Sequence, residues 1–253
     1  MTDTALAPQR YLELINVDAD RLVDMGERDL TASVPSCAGW DVAEVVWHTA
    51  GVFEHKVRVM ADSAWPDPWP PPDFDDREEL PFLRSAKDHL LTEFAKHDPS
   101  ESTVTFGKDK TVGFWLRRMA CEVAVHRYDA ELAFDEPTPI EPDLAVDGID
   151  EALDVMLAGP WWDDRVTTEH PVEAVVAVQS GGVRWLCDVR RSGVTVDRAA
   201  TDAGAGSTPV GTISGEPQDV FLWLWGRVGD ERVELSGDPQ TVAEFRARLV
   251  ECM

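Results

Sequence analysis

The sequence predicts an α+β protein, in which an N-terminal four-helix bundle is followed by a smaller C-terminal α+β domain. Three observations support this class. Apolar residues recur at helical spacing in four segments of the first half of the chain. A proline-rich stretch at residues 65–76 interrupts these segments, as a long crossover connection does in some bundles. Beyond residue 143, short β-type runs are separated by glycine and polar turns.

The four predicted helices follow from apolar spacing and from start and stop signals. The second helix has the clearest start, because Asp41 can cap it and Glu44, three residues later, completes a capping box. Prolines between Pro66 and Pro81 predict an extended connection before the third helix. The predicted helices cover residues 8–30, 41–61, 77–96 and 112–134.

The stretch DEPTPIEPD, at residues 135–143, predicts a boundary between two domains, which we assign to residues 1–136 and 137–253. A helix at residues 143–158 opens the second domain. Five strands are then predicted, namely VEAVVAV, VRWLCDVR, GVTVDR, TPVGTISG and RVELSG, with a loop at residues 201–208 before the fourth. Two further helices, at residues 216–227 and 238–251, have Pro217 in the first turn and Asp238 as a cap, respectively.

The charge of the chain limits its partners. The formal net charge is −25, from 48 acidic and 23 basic residues. Such a surface repels nucleic acid phosphates and anionic lipid headgroups, so we expect neither nucleic acid nor a membrane as a partner. The sequence contains no apolar stretch long enough to span a membrane and no signal-peptide pattern, so we expect a cytoplasmic protein. Its four cysteines form no CxxC pair, which fits reduced thiols and excludes a cysteine zinc cluster.

The strongest chemical signal is the stretch CEVAVHRYDAE, at residues 121–131. Glu122 and His126 stand four residues apart on one face of the fourth helix, where a carboxylate and an imidazole can bind one divalent ion. The same spacing is common on solvated helix faces. Here the neighbouring residues are apolar, and a buried carboxylate is costly unless it is paired or bound to a metal. Asp129, three residues after His126, can orient a ligand or act in acid–base chemistry.

A third ligand has to come from another helix. His48 is the best candidate, because it lies among apolar residues on the second helix, although a histidine in that setting is also often a core residue. His55 is flanked by charged residues and is expected near the edge of the bundle. Two histidines and one carboxylate leave coordination positions open, as a catalytic site requires. Zinc suits this ligand set, as do ferrous iron and nickel.

Three elements together resemble the mycothiol-dependent maleylpyruvate isomerase family: GWDVAEVVWHTAG, EVAVHRYDAE and SGEPQDVFLWLWGR with the following VELSGDPQ. The N-terminal half of that family is similar to the DinB-like metal-binding four-helix bundle, and its C-terminal half is a small α+β domain. The resemblance implies His48, Glu122 and His126 as ligands of a metal, usually zinc. It also implies Asp129 as a functional acid beside the metal, and Arg227 as a residue that reaches from the second domain toward the cleft.

The resemblance implies mycothiol, the small thiol of actinobacteria, as co-substrate, together with a small electrophilic substrate. We expect the thiolate to attack this electrophile, either in cis–trans isomerisation of a maleylpyruvate-type substrate or in S-transfer. A dicarboxylate substrate would need guanidinium groups, which Arg227, Arg118 and Arg84 can supply. Tryptophans of the second half, such as Trp161 and Trp162, suit either an apolar pocket or core packing.

Two other functions remain open at this point. A chain with this fold can be a non-catalytic metal-binding or regulatory module, because fold does not determine function. A metal-dependent hydrolase would use the same three ligands to activate water instead of a thiol. We expect either a monomer or a homodimer.

Overall fold

The computed structural model describes residues 4–72, 74, 77–160, 172–200 and 208–252. The chain divides into two compact units. The bundle unit comprises Leu6–Thr105 and Asp109–Pro139, and the sheet unit comprises Ile140–Met253 with two short pieces, Met1–Ala5 and Phe106–Lys108, so far as these ranges are described. The domain assignment to residues 1–136 and 137–253 stays a prediction.

Four long helices form the bundle unit. They are α1 (Pro8–Arg28), α2 (Val42–Asp62), α3 (Glu79–Phe94) and α4 (Val112–Leu132). Helix α4 packs against α1 and α2. Helix α3 also packs against α1 and α2. The predicted four-helix bundle is confirmed, with helix ends that shift by a few residues.

Helix α2 begins at the predicted capping box. The Glu44 backbone N–H donates to Asp41 Oδ1 at 3.1 Å, and the Asp41 N–H donates to Glu44 Oε2 at 2.8 Å. Both donors would otherwise lack a partner at the helix start. In the first two turns of α2, the apolar residues Val42, Val45 and Val46 are fully buried. The start of α2, and with it the position of His48 on the helix, is therefore fixed by local interactions and by packing.

Helix α4 is buried around nearly its whole circumference, which is why it shows no marked polar face. Its buried charges therefore need partners inside the bundle. Arg127, which is 1 % exposed, donates to Asp18 of α1 at 3.2 Å and to Glu131 at 2.8 Å. It also donates to the carbonyl oxygen of Thr138 at 2.6 Å. This network attaches α4 to α1 and to the segment that leaves the bundle.

The sheet unit begins with α5 (Pro142–Glu151), which continues as a π-helical segment over Ala152–Leu157. The described part of this unit contains five strands, β1 (Ala174–Ser180), β2 (Val183–Arg190), β3 (Gly193–Ala200), β4 (Gly211–Ser214) and β5 (Glu234–Gly237), in the spatial order β3-β2-β1-β4-β5. Only the β1–β4 pair within this sheet is parallel. The remaining elements are α6 (Pro217–Leu224), a 3₁₀ turn at Asp230–Arg232 and α7 (Pro239–Val250).

The core of the sheet unit follows the alternation of β2. Val183, Trp185, Cys187 and Val189 are buried, and the Trp185 indole N–H donates to Asp150 of α5 at 2.8 Å. Burial raises the pKa of the Cys187 thiol, so this cysteine is a packing residue. Helix α7 packs against β1, β4 and β5, which confirms the predicted α+β class.

Some expectations lie outside the described residues. These are Trp161, Trp162 and the predicted loop at 201–208, apart from Thr208. The π-helical segment and the parallel β1–β4 pairing were not predicted from the sequence. Within the described chain, no helix combines the length and the apolar character needed to cross a membrane.

Replacing Asp41 by alanine is expected to lower the free energy of unfolding by about 1 kcal/mol, because the Glu44 N–H loses its acceptor. Denaturant unfolding followed by circular dichroism measures this change. Asp62→Ala, at the other end of α2, is the matched control. It should leave stability unchanged or raise it slightly, since a carboxylate at a helix C-terminus faces the negative end of the helix dipole. Equal losses in both variants would contradict the capping role.

Candidate metal centre

Three side chains from α2 and α4 converge inside the bundle unit. His48 Nε2 lies 3.2 Å from Glu122 Oε1, and His126 Nε2 lies 3.3 Å from the same oxygen. The ligand atoms of the three residues all lie within 4.8 Å of one another. Because two imidazole nitrogens face a single carboxylate oxygen, one small cation can be bound by all three groups at once.

The helices place these groups by simple periodicity. Arg118, Glu122, His126 and Asp129 follow one another along a single side of α4 at spacings of three and four residues. Helix α2 supplies His48, whose ring centroid lies 4.8 Å from that of His126. Trp40, just before α2, flanks His48 with its ring centroid 5.3 Å away. The three candidate ligands thus come from two packed helices, which are rigid supports for a site.

Arg118 compensates the buried charge of Glu122. Its Nη2 donates to Glu122 Oε2, the carboxylate oxygen that does not face the histidines. Glu122 is 9 % exposed. Burial tends to raise the pKa of this carboxyl, but Arg118, followed by His126, holds it well below its ordinary value. Glu122 is therefore ionised, as a carboxylate ligand of a metal has to be.

Asp129 fixes the orientation of His126. The Nδ1–H of His126 donates to Asp129 Oδ2 at 3.2 Å, and the Ser36 hydroxyl donates to Asp129 Oδ1 at 2.6 Å. Asp129 is fully buried. Since Nδ1 is bound to a carboxylate, Nε2 is left to serve as a ligand, an arrangement usual for metal-binding histidines.

The protonation of His126 reflects the same surroundings. Burial opposes the charged form, but Glu122 and Asp129 outweigh it and raise the pKa of His126 to about 9. The imidazole is thus positively charged when it faces these two carboxylates alone. A metal cation that binds to Nε2 would take the place of this proton, because both satisfy the charge of Glu122.

Two cavities border on His48. The Lys56 cavity, of about 380 Å³, is lined by Trp47, His48, Gly51, Val52, His55, Lys56, Trp69, Pro70 and Phe74. The Glu44 cavity, of about 320 Å³, is lined by Trp40, Ala43, Glu44, Trp47, His48 and Glu79. Both volumes are in the range that accommodates small ligands. His48 and Trp47 line both cavities, so ligands in either one lie next to the candidate metal centre.

His55 was expected near the edge of the bundle because its neighbours in the sequence are charged, and in the structure it lies beside a cavity. It lines the Lys56 cavity, and its ring centroid lies 4.7 Å from that of Trp69. Burial, reinforced by the charge of Lys56, lowers the pKa of His55 to about 4. His55 is therefore neutral at physiological pH, and its Nδ1 accepts a hydrogen bond from Lys56 Nζ at 3.0 Å.

The three candidate arginines have different surroundings. Arg118 is buried against Glu122, whereas Arg84 pairs with Glu27 on the surface of the bundle unit. Arg227 follows α6 in the sheet unit, where its guanidinium donates to the carbonyl oxygen of Trp225 at 2.8 Å. The structure thus brings His48, Glu122, His126 and Asp129 together, and the approach of Arg227 to the cleft stays a prediction.

Sequence reasoning missed three contributors to the site. The first is Arg118 as the partner of Glu122, for which the i,i+4 spacing was an available signal. The second is Ser36, which lies far from Asp129 in the sequence. The third is Lys56, which resembles a solvated lysine because His55 and Arg58 are near it in the chain.

Comparison with known proteins relates the bundle unit and the sheet unit to the two domains of one protein family. Residues 13–131 match a family described as the mycothiol maleylpyruvate isomerase N-terminal domain. Residues 143–244 match the MDMPI C-terminal domain. A search of curated protein sequences gives no significant match.

Two solved structures share the fold. A histidine-to-alanine mutant of the mycothiol-dependent maleylpyruvate isomerase superposes with a TM-score of 0.61 at 13% identity, covering 93% of this chain and 96% of that chain. The structure of the isomerase without a stated mutation gives a TM-score of 0.59 at 15% identity with the same coverage. At these identities the likeness establishes the fold, while the two domain matches account for most of the sequence. The chain belongs to the mycothiol-dependent maleylpyruvate isomerase family.

Proposed function

We propose that the protein is an enzyme that binds a divalent metal, most suitably zinc, through His48, Glu122 and His126, and that it directs the thiolate of mycothiol at a small electrophile. The observation that carries this proposal is the convergence of the three ligand atoms within 4.8 Å of one another. Two imidazole nitrogens and one carboxylate oxygen are a ligand set that zinc accepts with coordination positions left open. Family membership supports mycothiol as the co-substrate.

The side chains around the centre prepare it for a cation. Bound zinc would lower the pKa of a thiol and so supply a thiolate at neutral pH. Arg118 holds one oxygen of Glu122, which leaves the other oxygen directed at the two histidines. Asp129 holds Nδ1 of His126 and thereby directs Nε2 at the same point. The role that we assign to Asp129 is positioning, because it is fully buried and contacts His126.

Two reactions are consistent with such a thiolate. In cis–trans isomerisation, sulfur bonds to one carbon of a conjugated double bond and the electron pair moves to the carbonyl oxygen as an enolate. Rotation about the resulting single bond and expulsion of the thiolate then restore the double bond in the trans form. In S-transfer, the carbon–sulfur bond persists, and either the adduct is protonated or a leaving group departs with its electron pair. The two reactions differ in the substrate that the cavities accept.

Metal analysis tests the three ligands. Protein reconstituted with zinc and dialysed is expected to retain about one equivalent, because three ligands converge on one point. The variants His48→Ala and His126→Ala should each lose most of the bound zinc, because only two of the three ligands are left to hold it. His89→Gln is the matched control, as its side chain is 59% exposed and pairs with Glu54, and the candidate ligand set does not include it. Full occupancy in both alanine variants would remove the proposed ligand set.

The positioning role of Asp129 gives a second expectation. Asp129→Asn should weaken zinc binding by about 10- to 100-fold, because the charge that orients His126 and strengthens its Nε2 as a ligand is lost. Competition with a chromophoric chelator measures the dissociation constant. Ser36→Ala should have a smaller effect, since Asp129 keeps its contact with His126. Unchanged affinity in a folded Asp129→Asn protein would contradict this role.

Activity assays test the thiol dependence. Maleylpyruvate, chlorinated aromatics and epoxides should be assayed side by side, with and without mycothiol. We expect turnover that requires mycothiol and falls to background in His126→Ala. Isomerised maleylpyruvate would identify an isomerase, and a stable mycothiol adduct would identify an S-transferase. Turnover that is independent of the thiol would contradict the proposed chemistry.

A further inference from the structure

Lys56 is a partly buried cation without a carboxylate partner among the residues that the structure describes. Its Nζ donates to His55 Nδ1 at 3.0 Å and lies 4.6 Å from the ring centroid of Trp115. Both partners are neutral, and the described carboxylates all lie beyond ion-pair distance of Nζ. An ammonium group has three donors, so two of them are left after the bond to His55. A buried charge of this kind gains free energy when an anion binds to it.

The surroundings of Lys56 make its charge costly. Burial lowers the pKa of Lys56 to about 8, while Glu122 raises it in part and Arg118 lowers it further. An ammonium that has lost part of its hydration interacts more strongly with an anion than one in bulk water. The cation–π contact with Trp115 compensates for a part of this loss. It does not supply a negative charge.

The two cavities that share His48 differ in charge. The Glu44 cavity has the carboxylates of Glu44 and Glu79 in its wall. The wall of the Lys56 cavity contains no carboxylate among the described residues, and it combines the ammonium with the rings of Trp47, Trp69 and Phe74. An anionic ligand is therefore attracted to the Lys56 cavity and repelled from the Glu44 cavity. The overall charge of −25 increases the need for such a local cation.

We propose that Lys56 binds a carboxylate of the electrophilic substrate in the Lys56 cavity and so determines which electrophiles are held beside His48. This inference rests on the proposed function, because it assigns a substrate subsite to the same centre. Lysine suits the role as a flexible point charge that accepts carboxylates of differing orientation. The aromatic walls would contact the unsaturated carbon chain of such a substrate.

Equilibrium binding tests the subsite without turnover. Zinc-loaded wild type, Lys56→Met, Lys56→Arg and Lys108→Met should be titrated with maleate and with its neutral diamide, maleamide, by calorimetry. Lys108 is the matched control, because its side chain is 69% exposed and lies in another part of the chain. We expect Lys56→Met to bind maleate at least about tenfold more weakly, as a hydrogen bond to a charged group is lost. Lys56→Arg should retain most of the affinity, and maleamide should bind all four proteins alike.

Several results would overturn the subsite. Equal maleate affinity in wild type and Lys56→Met would exclude an anion contact at Lys56. An equal loss of maleamide affinity would show a general change in the cavity. Circular dichroism and zinc content establish that each variant is folded and loaded with zinc. If Lys56→Met does not fold, Lys56→Arg is the variant that remains for the comparison, because it preserves the positive charge.

Kinetics separate this inference from the proposed function. With an anionic electrophile, Lys56→Met should raise the KM for that substrate about tenfold and leave the KM for mycothiol unchanged. A raised KM for mycothiol alone would assign the cavity to the thiol and overturn the inference. Absence of thiol-dependent turnover in wild type would contradict the proposed function, whereas binding of maleate through Lys56 would still be measured.

Discussion

The carboxylate of Glu122 is a negative charge inside a helical bundle, and the site is built around compensating it. Arg118 binds one of its oxygens, and His48 and His126 face the other. Removing any one of these partners would leave a buried charge without full compensation, which is among the more costly changes that a protein core can undergo. The interactions that make Glu122 tolerable in the core also leave its second oxygen and two imidazole nitrogens directed at one point. Stability and ligand geometry therefore have the same physical origin.

Helix α4 carries two separate groups of charged residues, one at the candidate metal centre and one that holds the bundle together. The stripe from Arg118 to Asp129 contains Glu122, whose carboxylate meets His48 of α2, and His126, which faces the same oxygen. A second charged group on the same helix, Arg127 with Glu131, pairs with Asp18 and Thr138. Among the described residues its hydrogen-bond partners differ from those of the candidate ligands, and it holds α4 against α1 through Asp18. The helix can thus carry many buried charges because each is satisfied within one of two networks.

Local patterns allowed the sequence to predict much of this arrangement. The capping box at Asp41 and Glu44 depends on residues three positions apart, and the pair Glu122 and His126 depends on one turn of a helix. His48 was a candidate because its neighbours are apolar, which is also a local property.

Contacts between residues distant in sequence were not predictable in the same way. The hydroxyl of Ser36 donates to Asp129 Oδ1 across 93 positions of the sequence, and no local pattern links these two residues. Lys56 acquires its character from Trp115 on another helix and from a cavity that includes Trp69. The parallel pairing of β1 with β4 likewise depends on the choice of partner strand, which the alternation within each strand does not specify.

One wall of the Lys56 cavity is formed by Trp69, Pro70 and Phe74, which belong to the proline-rich connection and not to a bundle helix. Connections tolerate insertions and substitutions better than packed helices do. Changes in this one segment can therefore reshape the wall of the Lys56 cavity without altering the candidate ligands or the packed core of the bundle.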